Sequence, residues 1–149
     1  GIQHVYGPAA DRVRESYLAF IKSCPLGVQL PGGVLVTHSL PEDVDRHGFD
    51  VTVFHRPLDM VEFLEHKSVF RLVWGRDYRR ENASAFARLM QANVLIHGHE
   101  PCPQGFSTPN EFQLILDCSA EKAAYAILPL NRQSPWTLEE VVAHVKFLA

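Results

Sequence analysis

Ala92-Asn93-Val94-Leu95-Ile96-His97-Gly98-His99-Glu100-Pro101 sets an apolar run directly before two histidines separated by a glycine. Upstream, Glu81 to Gln91 repeats Ala83, Phe86, Ala87, Leu89 and Met90 at helical spacing. A helix followed by a short apolar run reads as a helix feeding a buried strand. The same pattern occurs earlier in Gly32-Gly33-Val34-Leu35-Val36-Thr37-His38-Ser39-Leu40-Pro41, where a β-branched run bounded by glycines again delivers a histidine. Two buried strands separated by helical sequence place the chain in the α/β class, as a mixed sheet with helices outside. In such architectures the carboxyl ends of strands line functional sites.

Working outward, Pro8 suits a first helical turn, and Val13, Tyr17, Leu18, Phe20 and Ile21 then recur at helical spacing before Pro25. Pro57 to His66, with Met60, Val61, Phe63 and Leu64, predicts a second helix, while Phe70 to Trp74 is apolar but of undetermined type. Beyond the histidines, Phe106, Phe112 to Cys118 and Ala123 to Leu130 read as strands of an antiparallel meander, joined by Pro109-Asn110 and by Ser119-Ala120-Glu121-Lys122. The strands at Val34–Thr37, Val94–Ile96, Glu111–Cys118 and Ala123–Leu130 are expected in one sheet. Thr137, with Glu140 three residues on, forms a capping box for a helix from Leu138 to Leu148.

The chain has 149 residues, 46% of them hydrophobic, enough for one domain (1–149) with a single core. Its net charge of -3 provides no basic footprint for nucleic acid or anionic lipid. The longest apolar runs fall far short of a bilayer span, and no secretory pattern opens the chain, which predicts a cytoplasmic protein with no membrane partner. Cys24, Cys102 and Cys118 are widely spaced and odd in number, against both a disulfide framework and a zinc knuckle.

Histidine is the commonest metal ligand, and a neighbouring glycine lets backbone and substrate approach closely. With both patterns in order, the sequence resembles the metallophosphoesterase (calcineurin-like) superfamily, specifically the phosphoprotein-phosphatase type. Gly32 to Pro41 looks like the family segment in which a strand ends in a metal-binding histidine. Leu72-Val73-Trp74 followed by Arg76, Arg79 and Arg80 is similar to the Leu-Leu-Trp segment that soon supplies a phosphate-binding arginine. Ala92 to Pro101 with Gly105-Phe106 matches the strand, the Arg-Gly-His-Glu turn and the glycine-aromatic pair beyond it, and Leu114 to Ala120 is similar to the strand ending in Phe-Ser-Ala-Pro-Asn-Tyr. The resemblance runs from Tyr6-Gly7 to about Leu130.

This resemblance implies the C-terminal half of an αββα sandwich. It implies that His38 and His99 ligate one metal of a divalent pair, of Mn, Fe or Zn. One of Arg76, Arg79 and Arg80 would clamp phosphate; the spacing does not choose among them. His97 stands where the family has arginine, leaving it either a phosphate-facing or supporting group or simply exposed to solvent. The family's GDxHG, GDxxDRG and GNHE motifs, which supply the other ligands and the catalytic acid, do not occur in the sequence. Glu121-Lys122 replaces the family's Pro-Asn-Tyr.

The expected function is therefore that of a metal-dependent phosphatase domain fragment acting on phosphate monoesters, phosphoproteins or small molecules, once completed by the missing motifs. Alone it is expected to hold its metals partially or not at all and to be inactive. Two rivals remain: a catalytically inactive binding or regulatory module derived from that fold, and an unrelated hydrolase with a three-histidine metal site at His38, His97 and His99. An isolated half-sandwich would expose a face open to self-association.

Overall fold

The structure, a computed structural model, describes residues 1–119 and 121–148. Ala120, in the expected turn between two strands, and Ala149 lie outside the described residues. The fold is mixed α/β. Strands β1 (Gly27–Leu30), β2 (Val34–Thr37), β3 (Val94–His97), β4 (Phe106–Ser107) and β5 (Gln113–Leu116) form one sheet in the order β1-β2-β3-β5-β4. β2, β3 and β5 are mutually parallel, with antiparallel β1 and β4 at the edges.

Parallel strands need crossovers, and the connection from β2 to β3 carries three helices, α3 (Val44–His47), α4 (Ser68–Trp74) and α5 (Arg80–Leu89). Successive side chains alternate across the sheet, so each strand feeds two cores. Leu35 and Leu95 join Leu40, Leu72, Phe86 and Ala87 on the helical face. Val34, Val94, Ile96 and Leu114 pack on the other face against Trp136 and Val141. That second face is covered by α6 (Leu138–Val142), and a separate antiparallel ladder pairs β6 (Ala124–Ala126) with β7 (Val145–Phe147).

Three expectations are corrected. Ala123 to Leu130 does not continue the main sheet. At the end of β5 the Asp117 carboxylate accepts from the Ser119 amide at 2.7 Å and from its hydroxyl at 2.6 Å, turning the chain away. β6 then pairs with β7, and the same pairing shortens the final helix: the Thr137–Glu140 capping box forms, but the chain leaves the helix after Val142 so that Val145–Phe147 can join β6. Between Pro57 and His66 there is only a 3-10 turn at Met60–Phe63, opened by Asp59 accepting from the Val61 amide at 2.8 Å.

The amino-terminal helix forms as α2 (Ala10–Ser23), preceded by α1 (Ile2–Tyr6), and the two pack chiefly on each other. The stripe Tyr17, Leu18, Phe20 and Ile21 remains exposed. Among the described residues, no helix is long and apolar enough to cross a membrane.

Candidate metal centre

The parallel register pairs Val34 with Val94, Leu35 with Leu95 and Val36 with Ile96, so β2 and β3 end side by side. Their exits are joined by a backbone bond, Gly98 N–H donating to the His38 carbonyl at 3.2 Å. The turn after His38 is pinned from below, because the Ser39 hydroxyl donates to the Leu72 carbonyl of α4 at 2.5 Å. One residue past Gly98, His99 takes φ of 72°, in the left-handed region that few residues other than glycine occupy. That conformation costs about 1–2 kcal/mol. With it, His38 Nε2 and His99 Nδ1 face each other at 2.8 Å, ring centroids 4.7 Å apart.

At this distance one ring N–H donates to the lone pair of the other ring, the tautomers deciding which. A cation ligated by both nitrogens at about 2.0–2.1 Å would replace that proton and sit to one side of the line between them. The pKa of His99 is lowered, first by burial and then by the charges of His38 and Arg76, with Glu100 opposing. A depressed pKa keeps the ring neutral near pH 7, the form that ligates metal. Its other nitrogen, Nε2, is buried without a hydrogen-bond partner, and the indole of Trp74 packs edge-on against the ring at 5.8 Å.

The three arginines separate cleanly. Arg76 lies beside the histidines: its Nε donates to Glu100 at 2.5 Å, and Glu100 immediately follows His99. Its backbone N–H donates to Glu42 at 3.2 Å. Gly75 makes this placement possible, since a Cβ there would come within 1.9 Å of the Leu40 carbonyl, and Leu40 and Arg76 form an isolated parallel bridge. Arg79 is instead held among Asp43, Asp45 and Asp77 at 3.0, 2.9 and 2.6 Å; its hydrogen bonds to Asp45, foremost, and to Asp77 raise its pKa. Arg80 pairs with Glu111, its Nε at 2.6 Å, and lies over Phe112.

His97 is 3% exposed, which excludes the solvent-exposed alternative. As the fourth residue of β3 it points to the helical face, like Leu95. Its Nε2 lies 3.1 Å from the Gln113 amide nitrogen, and Asn110 in turn donates to the Gln113 carbonyl oxygen. Burial pushes the pKa of His97 down to about 4. The ring is thus a neutral, satisfied core group beneath the turn.

As a test of fit, the pair offers two converging nitrogen donors, a set suited to Zn, Mn or Fe. Among the described residues, the one group of three or more clustered potential ligands is Asp43, Asp45 and Asp77, all three already engaged by Arg79. The residues fit a metal as a partial ligand set. Trp74 was not legible as a neighbour of the pair in sequence, because Gly75 and the Ser39–Leu72 bond bring α4 to the strand ends across about 30 residues. Comparison of the chain with protein-family models and with curated proteins finds no match in either.

Proposed function

We propose that this chain carries two metal ligands and the phosphate clamp of a metallophosphoesterase centre, within the C-terminal half of an αββα sandwich. The observation that carries the reading is the meeting of His38 Nε2 and His99 Nδ1 at 2.8 Å, at the adjoining ends of parallel strands. In this reading His38 and His99 hold one divalent cation of a pair. When bound, such a pair would activate a water and neutralise phosphate charge.

The chain's own residues position the substrate. With Nε engaged by Glu100, Arg76 keeps both Nη groups for two phosphate oxygens, a fork that suits a bidentate contact. Glu100 therefore orients the clamp while its neighbour His99 faces the cation, coupling the two through one turn. His97 and Gln113 support that turn from the core. Trp74 shields one side of His99 from water.

Among the described residues, no cluster of three or more potential ligands includes the histidine pair, and a pair of imidazoles is fewer than the three protein ligands of an ordinary catalytic zinc site. The 149 residues with excess Mn²⁺ should accordingly hydrolyse p-nitrophenyl phosphate at background. The chain joined to a segment bearing GDxHG, GDxxDRG and GNHE should turn over and lose activity on His99→Ala. Metal-dependent turnover by the 149 residues alone, abolished by His38→Ala, would contradict this reading and favour a self-sufficient histidine site. A second reading, a binding module without catalysis, is supported by the exposed apolar stripe on α2, which suits contact with another protein surface.

A further inference from the structure

A cavity of about 240 Å³ meets the histidine pair through Trp74; Phe70, Trp74 and Gly75 wall it, and Glu42, Glu65, His66 and Arg71 complete its lining. We propose that it is the leaving-group pocket for an aryl phosphate monoester with a single ring, an inference that rests on the phosphoesterase reading above. Trp74 belongs to both places: its indole packs against the His99 ring at 5.8 Å and also lines the cavity. Phe70, one helical turn earlier, stacks with Trp74 at a centroid distance of 6.2 Å and an interplanar angle of 26°. The two rings form a continuous aromatic wall leading away from the metal ligands.

The clamp and the pocket are joined through the same residues. Glu42 rims the cavity and accepts the backbone N–H of Arg76, while Gly75 lies between Trp74 and Arg76 in the chain. Arg76 and Trp74 thus flank Gly75, which itself lines the cavity. Trp74 is 55% exposed, leaving an apolar ring surface open between the cavity and His99. An aromatic leaving group would cover that surface in offset or edge-on contact, which aliphatic groups make less well.

Size narrows the class. The cavity is smaller than the roughly 300–1,000 Å³ of pockets that enclose drug-sized ligands, so it takes one ring rather than a fused or extended group. Its lining carries both signs, Glu42 and Glu65 against Arg71, so the pocket selects by the size and aromaticity of the leaving group rather than by its charge.

Isothermal titration of the 149-residue protein in Mn²⁺ with inorganic phosphate, methyl phosphate and phenyl phosphate tests this. Phenyl phosphate should bind on the order of tenfold more tightly than methyl phosphate. Trp74→Ala should bring the two esters to equal affinity, and Phe70→Ala should reduce the preference in the same direction. Equal binding of both esters, by a protein that still binds inorganic phosphate through Arg76, overturns the aryl pocket alone. So does a preference that survives Trp74→Ala. Failure of inorganic phosphate to bind, or binding indifferent to Arg76→Ala, overturns the phosphate site itself and the pocket with it.

Discussion

The parallel strand ends and the amino-terminal helices were built from sequence patterns of equal clarity, and they met opposite fates. Leu35, Leu95 and Phe86 lie in a closed core, whereas Tyr17, Leu18, Phe20 and Ile21, an equally regular stripe, face solvent. Periodicity specifies which residues share a face; it does not specify what covers that face. In the sheet, the cover is local: α5 leads directly into β3 and packs back on it. For α2, the chain runs on into edge strand β1, leaving the helix packed chiefly on α1.

The largest expected effect sharpens that contrast. Phe86→Ala, at a fully buried position, should lower the unfolding free energy by about 3–5 kcal/mol. Phe20→Ala, at a side chain 67% exposed, should stay within about 0.5 kcal/mol. Urea denaturation of the two variants measures both, and comparable losses would mean that α2 is covered in solution.

A second effect, next in size, concerns the buried histidine in the strand region. The folded pKa of His97, about 4, lies below the ordinary value of 6.5. Unfolded chains therefore take up a proton at this residue before folded ones do. The stability it supports is complete above about pH 6.5 and is lost as pH falls toward 4, amounting to about 3 kcal/mol. Urea midpoints in metal-free buffer from pH 7 to 4 should show this slope, and His97→Leu should flatten it. An unchanged slope would place the proton uptake elsewhere.

Sequence alone made β2, β3 and α5 legible, because β-branched runs bounded by glycine and a strong 3.6-residue period are local signals. The meeting of His38 with His99 was also within reach, once both were seen to end neighbouring strands. What sequence left open was decided by long-range contacts. The partner of β6 is β7, near the end of the chain, and no local pattern distinguishes that pairing from a helix opened by a good capping box. Likewise, nothing in the spacing of Arg76, Arg79 and Arg80 separates them; of the three aspartates that claim Arg79, Asp77 is local, while Asp43 and Asp45 come from one distant segment.

The smallest effect tests whether the site is maintained against the fold's own preference. His99 holds φ of 72°, and His99→Gly removes the strain together with the imidazole. The variant should gain about 1 kcal/mol in metal-free buffer. A loss of stability instead would show that the contacts of His99 with His38 and Trp74 outweigh its backbone strain.

The central claim, that the two histidines at the strand ends form a metal-binding pair, is tested most directly by titrating the metal-free protein with Zn²⁺ at pH 7 while following imidazole ¹⁵N resonances. Nε2 of His38 and Nδ1 of His99 should shift together while His97, buried against Gln113, does not, and His99→Ala should abolish the response at His38. Zn²⁺ that leaves both resonances in place, or that moves His38 equally well in the His99→Ala protein, would contradict it.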